Sequence, residues 1–274
     1  MDRTIKTTAD GSVAVYADPW ERLREFTDAR IALGRTGCSI LTDEWLQFSL
    51  AHARARDSIN MPFERDRIAK ALNDINMEAI NAESCAADRS VFIRRPDLGR
   101  RLSEESRRRL KEMNYPGADV LIVIGDGLSS KAVHKQAVPL IKAFTPYMKE
   151  LGLSVGPVVL ANGSRVALGD DIAETMHCRL VVMLIGERPG LSSPDSLGIY
   201  MTYAPYAGRL ESDRNCISNV RPEGLSYECA AFKLAWLVEM AFEKNVSGTA
   251  LKDLSDNPDA YHRLRPVVWF FFWL

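Results

Sequence analysis

The sequence predicts an α/β protein with a mostly parallel sheet, helices on both faces, and a small helical region in front. Two observations carry this. From Asp119 onward, short apolar runs alternate with longer helical stretches, the pattern of strand–helix–strand units. The run Val120-Leu121-Ile122-Val123-Ile124 is apolar at every position, as a strand buried on both faces must be.

The elements are read in chain order. Residues 1–17 form a polar segment, and Met1 to Ser12 lacks the apolar stretch of a secretory signal. Residues 18–90 form the helical region. Asp18-Pro19-Trp20-Glu21 opens a helix expected to reach Leu33, with proline at its first position. Thr42 caps a second helix, with Asp43 and Glu44 in its first turn. Residues 64–80 suggest a third, through Ile68, Leu72 and Ile75. Residues 91–253 form the α/β domain. Val91-Phe92-Ile93 reads as a short strand, and Ser103 starts a helix. The strand at 120–124 ends in Gly125-Asp126-Gly127 and a helix follows over 130–151. Further strands are expected at 158–160, 165–167, 180–185 and 199–203, with helices at 170–176 and 223–244. Asp213 to Asn219 reads as a polar loop. Residues 254–274 form a tail whose end, Val267 to Leu274, is wholly apolar and too short for a membrane helix, which needs ~20 residues.

Composition removes whole classes of function. Lys and Arg number 35 against 36 Asp and Glu, so the chain lacks the basic excess of a nucleic-acid binder. No run is long enough for a membrane span. The five cysteines form no C-x-x-C pair, which indicates neither a zinc ribbon nor a disulfide framework and fits reduced thiols in the cytoplasm. The four histidines, His52, His134, His177 and His262, show no metal-ligand spacing.

Motifs for phosphate and dinucleotide binding are missing. No G-x-G-x-x-G follows a strand, and no G-x-x-x-x-G-K-[ST] occurs. Gly152-Leu153-Ser154-Val155-Gly156 matches G-x-S-x-G by letter, but a helix precedes it and a strand follows, the reverse of a nucleophile elbow. In open α/β sheets ligands sit beyond the carboxyl ends of the strands. Here those ends are Gly125-Asp126-Gly127-Leu128-Ser129 and Gly186-Glu187-Arg188-Pro189-Gly190, each glycine-rich with a carboxylate. That position marks a ligand site without identifying the ligand. The polar loops within Gly163 to Tyr227, residues 186–197 and 213–219, suit a large ligand carrying many amides, and they equally suit capped connections between elements. Asp126 could orient a ligand or a neighbouring loop.

Several segments, in order, resemble the small (light) subunit of ethanolamine ammonia-lyase. They are Asp18-Pro19-Trp20, residues 32–37, Arg95-Pro96-Asp97-Leu98-Gly99-Arg100-Arg101-Leu102, Gly125-Asp126-Gly127-Leu128-Ser129 and Ala167-Leu168-Gly169-Asp170. Residues 186–197, 214–219 and 221–227 continue the series, which covers roughly residues 18–253. G-E-R-P-G-L-S-S-P-D-S-L combined with N-C-I-S-N is the specific part. The tail departs from the family.

The resemblance implies a Rossmann-like cobalamin-binding domain in a hetero-oligomer. A large (β/α)₈-barrel subunit would hold the substrate, and adenosylcobalamin would lie between the two subunits. The complex would convert ethanolamine to acetaldehyde and ammonia by a radical mechanism, with no catalytic residue on this chain and no activity by this chain alone. The family's cofactor contacts map onto Val166, Glu187 and Cys216, with Arg165 as a further candidate for an amide carbonyl or the nucleotide phosphate. Arg35, Arg95, Asp97 and Arg100 would serve inter-subunit contacts or loop fixing. The missing D-x-H-x-x-G agrees with a cobalamin that keeps its own dimethylbenzimidazole on cobalt. The resemblance places the enzyme in the cytoplasm, with enclosure in a bacterial microcompartment left open. The alternative is an assembly subunit that caps a barrel enzyme without touching the cofactor.

Overall fold

The computed structural model describes residue 15 and residues 18–257. These pack into two compact units: residues up to Asp57 with Gly190–Pro194, and Ser58–Pro189 with the residues from Asp195 onward.

In the first unit the helix expected from Pro19 to Leu33 is absent. A single 3₁₀ turn, Glu21–Glu25, takes its place, and none of its residues is buried. A short helix without tertiary packing does not propagate in water, which accounts for the difference. Asp18 does act locally, since its carboxylate accepts the Trp20 N–H at 2.9 Å. Helix α1 (Thr42–Asn60) follows with Asp43 and Glu44 in its first turn, as read from the sequence.

The second unit holds the sheet. Helix α2 (Arg65–Asn73) is shorter than expected, because Asn76 takes a left-handed conformation (φ 59°) and the chain turns. The end of that stretch is instead strand β1 (Ala79–Glu83). Residues 91–93 are not a strand but lie in helix α3 (Arg89–Arg94), whose N-cap Asp88 accepts the Val91 N–H at 2.8 Å. Only Phe92 of that apolar triplet is fully buried, the spacing of a helix and not of a strand. Helix α4 (Glu104–Glu112) is capped by Ser103. Strand β2 (Val120–Gly125), helix α5 (Ser130–Glu150), strand β3 (Val158–Asn162), helix α6 (Leu168–Thr175) and strand β4 (Leu180–Gly186) follow the expected order. Residues 165–167 are a turn leading into α6, not a strand; the left-handed Gly163 (φ 64°) swings the chain out of the sheet. Strand β5 (Leu197–Tyr203) pairs antiparallel with β4. Most of the polar stretch read as a loop at 213–219 is strand β6 (Asn215–Val220), which pairs antiparallel with β5. Helix α7 (Tyr227–Lys244) is capped by Ser226, which accepts the Cys229 N–H at 3.3 Å.

The six strands lie in the order β1-β3-β2-β4-β5-β6, with β1, β3, β2 and β4 mutually parallel. Every residue of β2 is buried because its two faces meet two separate cores. Val120, Ile122 and Ile124 pack with α5 and α7. Leu121 and Val123 pack with Leu110 of α4 and Leu168 and Ile172 of α6. The loop leaving β2 therefore leads to one face and the loop leaving β3 to the other. Their carboxyl ends form the switch point at which α/β proteins bind ligands. No helix among the described residues is long and apolar enough to cross a membrane. The expected apolar end, Val267 to Leu274, lies outside the described residues.

Candidate functional site

At the carboxyl edge of the sheet, Gly127, Leu128, Arg165, Val166, Ile185, Gly186, Glu187, Arg188 and Tyr200 line an open cleft of about 420 Å³. It is built from four segments: the loops after β2, β3 and β4, and the face of β5. These can meet only because the backbones approach closely. Leu128 N–H donates to the Gly186 carbonyl at 2.9 Å, and a Cβ on Gly186 would fall 2.1 Å from the Ser129 carbonyl oxygen.

Glu187 follows β4 directly and is half-buried. Its N–H donates to the Ser196 carbonyl at 3.1 Å. One carboxylate oxygen, Oε2, accepts the Ser196 hydroxyl and the Asn219 N–H, the latter at 3.3 Å. Gly198 makes room for the side chain, since a Cβ there would lie 3.1 Å from Oε1. The carboxylate is thus anchored through one oxygen.

Val166 is half-buried at the cleft and packs against the core around α6. Arg165 is fixed from two sides. Its N–H donates to the Gly99 carbonyl at 2.8 Å, and its guanidinium lies 4.3 Å from the Phe92 ring centroid and donates to the Phe92 carbonyl at 3.2 Å. Burial and the neighbouring Arg89 lower its proton affinity, and Arg100 and Arg188 add to this, so the region is rich in positive charge.

Cys216 stands apart from these three. It is exposed on β6, its Sγ 3.4 Å from the Ser218 hydroxyl, and it pairs across the sheet with Tyr200. Burial first, then Cys216, push the Tyr200 phenol upward. The structure therefore brings Arg165, Val166 and Glu187 to one cleft and sets Cys216 beside it, through Tyr200.

Tyr200 and Arg188 are cleft residues that sequence reasoning did not single out. The only signal for Tyr200 was its place in a strand beside a ligand loop. Arg95 and Asp97 pair with each other at 2.9 and 2.7 Å, and Arg100 pairs with Glu211 at 3.2 Å, all at exposed positions. Beneath β5 and β6, Arg214 and Asp170 form an ion pair with side chains 2% and 1% exposed. It joins two of the segments quoted above, 167–170 and 214–219. Among the described residues no group of three or more His, Cys, Asp and Glu could hold a metal ion.

Comparison with known proteins identifies the lineage. The sequence model of the family "Ethanolamine ammonia-lyase light chain (EutC)" matches residues 17–252. The ethanolamine ammonia-lyase small subunit of Xanthomonas campestris pv. campestris is 46% identical over 244 residues, covering 88% of this chain and 90% of that one. That of Pseudomonas fluorescens is 48% identical over 239 residues, covering 86% and 87%. That of Rhodopseudomonas palustris is 48% identical over 231 residues, covering 84% and 88%. With matches of this extent, the chain belongs to the ethanolamine ammonia-lyase light-chain (small-subunit) family.

Proposed function

We propose that the chain works as the small subunit of an ethanolamine ammonia-lyase, its cleft taking one edge of the adenosylcobalamin corrin at the interface with the large subunit. The observation that carries this is the convergence of Arg165, Val166 and Glu187 on one cleft, with Cys216 beside Tyr200 at its border.

The residues present fit such a group. A corrin is a flat apolar ring fringed with amides. Leu128, Val166 and Ile185 offer apolar surface to a ring edge. Glu187 Oε1, which takes no hydrogen bond among the described residues, is left to accept an amide N–H, while Arg165 and Arg188 can donate to amide carbonyls or a phosphate. The cleft is open, and about 420 Å³ admits an edge of a cobalamin and not the whole, consistent with a cofactor shared between two subunits. When bound, adenosylcobalamin supplies the radical chemistry that converts ethanolamine to acetaldehyde and ammonia. The task of this chain is then to bind and orient the ring edge and exclude water from it, through side chains fixed before the ligand arrives.

The test is co-expression with a large subunit, followed by ammonia release in the presence of adenosylcobalamin. The complex should turn over ethanolamine and the chain alone should not. Glu187→Ala in the complex should raise the cofactor Kd by roughly tenfold or more, as expected when buried hydrogen-bonding groups are left unpaired. Turnover by the isolated chain would overturn the partner-dependent reading. An unaltered Kd in Glu187→Ala would favour an assembly subunit that does not touch the cofactor.

A further inference from the structure

The crevice at the switch point, between the ends of β2 and β3, is filled by the protein's own side chains. Asp126, 3% exposed, occupies it. One carboxylate oxygen accepts the Ser164 N–H at 2.8 Å, and the other accepts Arg89 Nη1 at 2.9 Å. The same Nη1 donates to the Gly127 carbonyl at 2.8 Å, and Arg89 Nε donates to the Ile59 carbonyl at 2.8 Å. The Arg89 guanidinium lies 4.8 Å from the centroid of the Phe92 ring, the ring that Arg165 also covers. A single carboxylate thus ties the end of β2 to α3 and to the loop after β3. Ser164, the residue it holds in that loop, immediately precedes Arg165 and Val166.

We infer that Asp126 is a positioning residue for the cofactor cleft: it touches no ligand, and it sets the Ser164–Val166 loop at the place where Arg165 and Val166 can meet the corrin edge. The inference rests on the reading of the cleft given above. The carboxylate must be ionised to hold both partners, because charge-assisted hydrogen bonds are about twice as strong as neutral ones. The charged groups facing it are Arg89 from α3 and Arg165 from the loop after β3. The neighbours that approach from β4 and the start of α5, Gly186 and Ser129, are uncharged. Burial pushes the Asp126 carboxyl up to about 6, against the opposing pull of the Ser164 N–H and Arg89. Mild acid therefore neutralises it.

The test uses the complex with its large subunit and cyanocobalamin as the probe, with Kd measured by equilibrium titration from pH 5 to 8. The wild-type Kd should rise as pH falls through about 6, and Asp126→Asn should hold one weakened value across the range, about tenfold above wild type at pH 8 and equal to it at pH 5, the size of one lost hydrogen bond to a charged group. Glu187→Ala, measured alongside, reports on the cleft itself. If Glu187→Ala weakens binding while Asp126→Asn matches wild type, the positioning role is overturned and the reading of the cleft stands. If neither variant changes Kd, both fall. Should Asp126→Asn fail to assemble, the wild-type profile still decides: a flat profile from pH 5 to 8 overturns the inference.

Discussion

Replacing Arg214 by methionine removes one half of the most deeply buried ion pair among the described residues. The side chains of Arg214 and Asp170 are 2% and 1% exposed. Arg214 also donates to Thr202 Oγ1 at 3.2 Å, to the Arg209 carbonyl at 2.9 Å and to Glu211 at 3.2 Å. A surface pair would be worth about 0–1 kcal/mol, whereas breaking a buried one leaves an uncompensated charge and costs about 3–5 kcal/mol. The larger figure applies here, a fifth or more of a stability of roughly 5–15 kcal/mol. The loss should also depend on pH. Burial already holds the Asp170 carboxyl above its ordinary value, with Arg214 opposing. Removing Arg214 raises it further. A carboxyl whose folded pKa is raised contributes stability below its unfolded pKa and loses it as pH rises through the folded pKa. The deficit of Arg214→Met should thus be greatest at pH 8 and shrink toward pH 5. Urea unfolding of the full chain, followed by far-ultraviolet circular dichroism at both pH values, measures it. The double variant Asp170→Leu with Arg214→Met should recover most of the loss, since an apolar pair replaces the ionic one. A deficit below about 1 kcal/mol at pH 8, or a double variant no better than the single one, would refute the reasoning.

Gly186→Ala should destabilise the fold by about 1–3 kcal/mol, the usual cost of overpacking, because its Cβ would sit 2.1 Å from the Ser129 carbonyl oxygen; denaturant midpoints of the two chains check this. The Asp126 carboxyl, raised from 3.8 to about 6, makes stability fall between those pH values as pH rises, by about 3 kcal/mol in all; Asp126→Asn should remove that dependence from urea titrations at stepped pH. This runs opposite to the cofactor affinity, which should rise with pH, so the two readouts separate positioning from bulk stability. Cobalt in the complex should keep its dimethylbenzimidazole ligand. Electron paramagnetic resonance of the bound Co(II) state should be indifferent to ¹⁵N-labelled histidine, and a splitting that follows the protein label would contradict it.

What could be read from sequence followed from how much of each element's surroundings its own residues encode. Val120 to Ile124 is apolar throughout because it meets two cores, so both the strand and its central place were legible. Ser103 caps helix α4 through its own hydroxyl, a purely local signal, whereas the last helix, expected from 223, begins at Tyr227 behind its cap Ser226. Edge and entry elements were not legible. Strand β6 buries Ile217 and Val220 but exposes Cys216, Ser218 and Asn219, and its short polar residues imitate a loop. Val91-Phe92-Ile93 has strand-like composition, yet the Asp88 cap and the single buried Phe92 make it helix. Pro19 and Asp18 suggest a helix start, but among the described residues none of Glu21–Glu25 is buried, so no packing extends one. At the cleft, the glycine-rich strand ends marked the location. The clamp of Asp126 on Arg89 and Ser164 joins positions 37 and 38 residues apart, which no local pattern reveals. The family resemblance pointed to Val166, Glu187, Cys216 and Arg165, and only the structure shows Tyr200 standing between Glu187 and Cys216.

The most direct measurement is a structure, by electron cryo-microscopy, of the complex with the large subunit and a bound cobalamin. The corrin edge should lie within contact distance of Val166 and Glu187, with Glu187 Oε1 accepting from a corrin amide and Cys216 at the border of the contact. A corrin enclosed wholly by the large subunit, with the cleft between Arg165 and Tyr200 facing solvent, would contradict it.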